Sequence, residues 1–108
     1  MKIRVRDHAK LSPDKMAKIA LAITSRSQLD LYCLAPGQAQ KPHSHEEQDK
    51  ICFVLEGRGT FTLDDREELL DPGDAIVAPA GSRHGVLNTG AGELLVLVVV
   101  TPPSPHVT

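Results

Sequence analysis

Gly73-Asp-Ala-Ile-Val-Ala-Pro-Ala-Gly-Ser-Arg-His-Gly-Val-Leu-Asn88 alternates turn chemistry with short apolar runs. Asp71-Pro-Gly73 before it and Pro79-Ala-Gly81 within it supply fixed or positive φ, so each marks a tight turn. Between them, Ala75 to Ala78 has the length and composition of a buried strand, and a second strand opens at His84. One histidine therefore stands at the start of a strand, immediately after a turn that holds it in place.

Upstream, Lys41-Pro-His-Ser-His-Glu-Glu-Gln-Asp-Lys50 places two more histidines one residue apart. Pro42 biases the preceding backbone toward an extended form. In a strand, side chains repeat direction every second residue, so His43 and His45 project from one face and can share an ion. Imidazole nitrogen is a ligand for iron, manganese, nickel, zinc and copper, and it is neutral enough to coordinate near pH 7. His43, His45 and His84 together read as a three-nitrogen centre with open positions. The competing reading is three exposed or hydrogen-bonded histidines.

These segments resemble the two motifs of the cupins, small β-barrels. In the second motif a Gly is followed after five residues by Pro-x-Gly, after two more by His and after three more by Asn. Gly73, Pro79, Gly81, His84 and Asn88 match every fixed position. In the first, Gly37 stands five residues before His43-x-His45, and Gly57 closes the pattern. The resemblance covers about half the chain and implies an all-β fold, the double-stranded β-helix or jelly-roll barrel of RmlC-like proteins. It also implies that oxygenase or isomerase chemistry on a divalent transition metal is available, and that the protein is a homodimer.

One position departs from the motif. The glutamate expected six residues before Gly57 is Lys50, and Asp49 is the nearest acid. Lys50, Cys52 and Val54 share one strand face and Asp49, Ile51 and Phe53 the other, so Asp49 reaches the ion as a fourth ligand only through a bulge. An ammonium about 6 Å from the ion, at an effective dielectric near 20, would be repelled by about 3 kcal/mol per unit charge and about twice that by a dication. The expected resolution is that Lys50 turns away or pairs with Glu46, Glu47 or Asp49. The others are a deprotonated Lys50 or a site without metal.

At 108 residues with net charge -2, the chain is one domain without the basic stripe that nucleic acid requires, and one Tyr with two Phe leaves little for base stacking. Eight Gly and eight Pro are spread at intervals, as short strands joined by turns demand. Cys33 and Cys52 sit in apolar contexts and read as free thiols; Cys52, in phase with Lys50, is a candidate cavity residue. No signal run is evident and Leu94 to Val100 is too short to span a bilayer, which points to the cytoplasm without a membrane partner.

Residues 1–28 read as an N-terminal strand over Met1 to Arg6 and a short helical or extended arm, with Ser12 and Pro13 suited to a helix start. Residues 29–101 read as the barrel and 102–108 as a Pro-rich tail, where His106 is a tail histidine. Leu94 to Val100 lacks alternation, so both faces should be covered, the outer one by a second sheet or a second subunit. Asn88 reads as a turn-stabilising side chain, Glu46 and Glu47 as solvated, and Arg58, Arg66 and Arg83 as rim residues, Arg83 being nearest an anion at the mouth. Two functions follow: an enzyme, dioxygenase-like or isomerase, acting on a small molecule, with Lys50 or Asp49 as candidates for proton transfer and the only phenol, Tyr32, read as core; or a non-catalytic module binding a small ligand or metal. A barrel whose metal site has degenerated, with Lys50 its trace, is the third.

Overall fold

The computed structural model describes residues 1–103, so His106 and the end of the tail lie outside the described residues. The chain runs through a 3-10 turn, Val5–His8, and nine strands: β1 Ala17–Ile23, β2 Gln28–Leu34, β3 Ala39–Ser44, β4 Asp49–Glu56, β5 Gly59–Leu63, β6 Arg66–Leu70, β7 Ala75–Ala78, β8 Arg83–Asn88 and β9 Leu94–Thr101. They form two antiparallel sheets, ordered β1-β2-β9-β4-β7 and β3-β8-β5-β6. This is the all-β barrel that the turn spacing predicts, in the jelly-roll form that the resemblance implies.

One N-terminal expectation is corrected, and of the two alternatives left open for the following arm the extended one is found. Met1 to Arg6 is not a strand; its only regular structure is the start of the 3-10 turn. Residues 12–16 form no helix: the chain bends at 13–15, and the apolar run behind them is β1, which pairs along β2 from Ala17 opposite Cys33. A single turn of helix gains little without a buried face, whereas a strand gains a ladder and a packed side.

Alternation places the core. Along β4, Lys50, Cys52 and Val54 are buried while Asp49, Ile51 and Phe53 are exposed. Cys52 and Val54 join Tyr32, Phe61, Val86, Val96 and Val98 in the main core. Each fully buried aliphatic side chain contributes about 1.5–3 kcal/mol. β2 is buried on both faces because Val5 and Ala9 of the N-terminal segment, with Ile19 and Leu21 of β1, pack over Leu31, Cys33 and Leu95. The outer face of β9 is therefore covered at Leu95 by the chain's own N-terminal segment, and Leu97 and Val99 are left partly exposed.

Turn chemistry behaves as read. Gly37 has φ +83°, and the Gln38 N–H donates to Ala35 O at 3.0 Å, closing the Pro-Gly turn. Asn88 is a staple: its Nδ2 donates to Leu34 O and Gly92 O, both at 2.9 Å, and its Oδ1 accepts the Gly90 N–H at 3.0 Å. Asn88→Ala leaves these groups without their partner beside the core, and the expected loss is about 2–3 kcal/mol, read as a lower urea midpoint with unchanged m.

Candidate metal centre

The strand-paired sheet β3-β8 carries the histidines. Their ladder has an irregularity between Gln40 and His43: Gln40 lies opposite Val86, yet His43 lies opposite His84. An unbroken register would have set His43 opposite Arg83. The one-residue shift is what makes the two imidazoles direct cross-strand neighbours. It is tolerated because β3 is an edge strand, where Pro42 need not donate to a ladder, and because Gly85 carries no Cβ. A Cβ there would lie 2.7 Å from Gln40 O and 2.8 Å from Pro42 N.

His45 follows the end of β3 and is anchored through its own carbonyl, which accepts the Gly81 N–H at 2.8 Å. Gly81 has φ +84°, a conformation other residues adopt rarely. The ring centroids of His43 and His84 are 4.6 Å apart, those of His43 and His45 4.8 Å and those of His45 and His84 6.0 Å. Three imidazoles sharing an ion through bonds of about 2 Å have centroids roughly 5 Å apart. Among the described residues, however, no group of three or more His, Cys, Asp or Glu stands ready to hold a metal as placed. The three rings are clustered, with His45 the most exposed of them.

Tautomers follow from the partners. His43 Nδ1 donates to Lys41 O at 2.9 Å and His84 Nδ1 donates to Ser82 O at 3.2 Å, since a carbonyl only accepts. Each Nε2 then keeps its lone pair. His84 Nε2 is buried and has no hydrogen-bond partner, alone in this among the described buried side-chain atoms. Burial first, and then the Lys50 charge, push the His84 pKa down to about 4. Burial also lowers that of His45, with His43 and Lys50 adding to it.

Asp49 is not brought to the cluster. It lies on the outer phase of β4, exposed, and its Oδ1 accepts the Ala80 N–H at 2.9 Å. No bulge occurs near it; the irregularity of β4 falls between Val54 and Glu56. Glu46 and Glu47 are exposed, as is Arg83. Lys50 does not turn away and pairs with none of these acids. It is 5% exposed and donates from Nζ to Tyr32 OH at 2.9 Å inside the barrel. The strand phase shared with Cys52 and Val54 overrides the preference of the charge for water.

Lys50, Tyr32, Gln40, Cys52, Phe61 and His84 line a cavity of about 310 Å³, counting the part open to solvent, with internal room for about one water molecule. Burial lowers the Lys50 pKa and raises that of Cys52 to about 11, so Cys52 is a thiol near neutrality and not an anionic ligand. Asp30 is fully buried on the same face of β2 as Tyr32, held by the Gln28 amide at 2.9 and 3.1 Å. The Tyr32–Lys50 pair was hidden from sequence reading, although the common phase of Asp30, Tyr32, Lys50 and Cys52 contains its signal.

A family model described as the cupin domain matches residues 30–100. Among curated proteins, the chain is 30% identical over 76 residues to the pectin degradation protein KdgF of Dickeya dadantii, covering 68% of this chain and 69% of that one. It is 31% identical over 67 residues to an oxalate-binding protein of Thermotoga maritima, covering 62% of this chain but only 55% of the relative. Among solved structures, TT1209 from Thermus thermophilus superposes with a TM-score of 0.91 at 47% identity, covering 94% of this chain and 98% of that one.

Proposed function

The chain belongs to the cupin family, whose domain model spans most of it, and from that premise we propose that it holds a divalent transition metal on His43, His45 and His84 and binds or transforms a small molecule at the barrel mouth. One observation carries the reading. A buried Nε2 lone pair on His84 has no partner, while the other nitrogen of that ring is committed to a carbonyl. Leaving a buried acceptor unsatisfied costs about 1–3 kcal/mol, which an ion would offset. The carbonyls of Lys41 and Ser82 act on His43 and His84 as outer partners do in known sites, holding the ring tautomer that leaves Nε2 free. His45, exposed and farthest from His84, has the freedom to complete the set.

When bound, iron, manganese, nickel, zinc or copper would supply Lewis acidity or electron transfer to a ligand atom in its open positions. The apolar walls of the barrel exclude water, and Lys50 with Tyr32 is the nearest group able to hold or move a proton. Asp49 is left out of the proposed centre because it lies on the outer phase of β4 and its Oδ1 accepts the Ala80 N–H. Elemental analysis of protein prepared without a histidine tag is expected to find stoichiometric metal after loading. Substoichiometric metal under every loading condition would sink the reading.

Binding without turnover is the second reading, favoured by the narrow interior. The relatives named for oxalate binding and pectin degradation are consistent with either. Turnover or oxygen uptake on dicarbonyl, thiol and phenolic substrates that disappears in His84→Ala would establish the enzyme; ligand binding with no turnover would establish the module.

We also assign the outer face of β4 and β7 to contact with a second copy of the chain. Ile51 (39% exposed), Phe53 (40%) and Val77 (54%) lie together there, Ile51 directly opposite Val77. A contiguous apolar face of this kind marks an interface. Light scattering is expected to give a dimer for the wild type and a monomer for Phe53→Glu; a wild-type monomer at micromolar concentration removes the assignment. Two buried free cysteines fit a reducing compartment, and the cytoplasm is the proposed location. Among the described residues no helix is long and apolar enough to cross a membrane.

A further inference from the structure

Lys50 is a buried cation with one hydrogen-bond partner. Its ammonium offers three donors, and among the described residues only Tyr32 OH takes one of them. Its Nζ also lies 5.2 Å from the Tyr32 ring centroid. The ion pairs of the described residues are Arg6 with Glu56 and Arg58 with Asp71, both on the surface, so no carboxylate is within ion-pair distance of Lys50. Asp30 shares the interior, but its two oxygens are engaged by the Gln28 amide. Gln40 lines the same cavity as Tyr32, and the exposed Lys18 has its Nζ 6.0 Å from the Tyr32 ring centroid.

The histidine cluster faces this cation with no acid of its own. Asp49 is outside, and Glu46 and Glu47 are exposed. The same cavity thus holds ammonium donors without acceptors and one imidazole lone pair without a donor. Phe61, Ile76 and Val86 offer neither, and the uncharged Gln40 and Thr62 are the other polar side chains of the lining. The buried ammonium is satisfied by a group that brings negative charge with it, while the His84 lone pair calls for a cation or a donor instead.

We propose that Lys50, positioned by Tyr32, is the seat of a small oxyanion of the carboxylate class, so that the ligand and not the protein supplies the negative charge at the histidine cluster. Its effect on metal binding rests on the three-histidine reading; its binding to Lys50 does not. Lys50 touches the anion and selects against neutral analogues, because an uncharged isostere leaves the ammonium without its counter-charge. The interior has room for about one water molecule, so one carboxylate oxygen enters toward Lys50 in place of that water and the rest of the ligand lies toward the mouth.

The test uses formate as probe and formamide as its uncharged isostere, at constant ionic strength, followed by calorimetry and thermal shift. Metal-free wild type is expected to bind formate and not formamide. Lys50→Met, which keeps the side-chain length and removes the charge, is expected to weaken formate binding by about tenfold or more, and Tyr32→Phe by less. Lys50→Gln repeats the comparison if Lys50→Met does not fold. With zinc present, formate should tighten zinc binding and zinc should tighten formate binding by the same factor, and the coupling should vanish in Lys50→Met. Equal affinity for formate and formamide, or unchanged formate affinity in the folded Lys50 variants, overturns the proposal. If zinc does not bind the wild type, the histidine reading fails and the metal-free comparison still decides the seat. If zinc binds while the Lys50 variants keep wild-type formate affinity, the seat fails alone.

Discussion

His84→Ala is expected to remove metal-dependent stabilisation of this protein almost completely. Disturbing an outer hydrogen-bond partner of a ligating imidazole costs about 10–100-fold in metal affinity, so deleting one of three imidazoles should cost at least about 100-fold. At a metal concentration 100 times the wild-type Kd, the wild type gains about 2.7 kcal/mol, and a variant binding 100-fold more weakly gains about 0.4 kcal/mol. The metal-free variant should differ little from wild type, because two effects oppose. Removing the ring abolishes the unsatisfied Nε2 but leaves a cavity and frees Ser82 O. Thermal denaturation with and without zinc separates the terms. A variant that keeps the full metal-dependent gain would show that His84 is not a ligand.

Gly85→Ala is expected to damage both fold and centre from a residue that touches no ligand. The added Cβ would fall 2.7 Å from Gln40 O, 2.8 Å from Pro42 N and 2.9 Å from Pro42 Cα. All three are backbone atoms of β3, so no side chain can turn aside to make room. The edge strand must move off β8, at a cost of about 1–3 kcal/mol. That movement separates His43 from His84, which the shifted register sets opposite each other, and metal affinity should fall by at least about tenfold. Gly92→Ala is the control, since a Cβ there meets nothing within 4 Å. If Gly85→Ala matches it in denaturant midpoint and zinc titration, the close approach does not position the centre.

Much of the architecture is legible without the structure because it depends on local patterns. Gly, Pro and Asp turns delimit the barrel segments, and eight-residue β4 shows the alternation expected of Lys50 to Leu55 at almost every position. Asn88 is legible as a turn residue because an amide followed shortly by Gly-Ala-Gly has few other uses. The N-terminal segment misleads where alternation alone is followed. Ile3 and Val5 alternate with charges, but no neighbouring strand pairs with them, and Val5 instead packs over Leu31, Cys33 and Leu95. Lys50 misleads for the opposite reason. A free lysine prefers water, yet its strand phase commits it to the interior, and Tyr32, eighteen residues earlier in sequence, receives it.

What the sequence by itself determined is the inventory: three imidazoles in two separated segments, turn residues that repeat at barrel spacing, and a lysine where an acid was due. Side-chain phase along each strand was equally contained in it, since direction alternates with every residue regardless of neighbours. Only the tertiary structure decided which imidazoles meet. A one-residue change of register between β3 and β8 moves His43 from Arg83 to His84, and that change is accommodated by the close approach of Pro42 to Gly85. Cross-strand register depends on contacts between distant segments, which no local pattern encodes. The same holds for the cavity, where Tyr32, Lys50 and His84 from three strands become neighbours only when the two sheets close on each other.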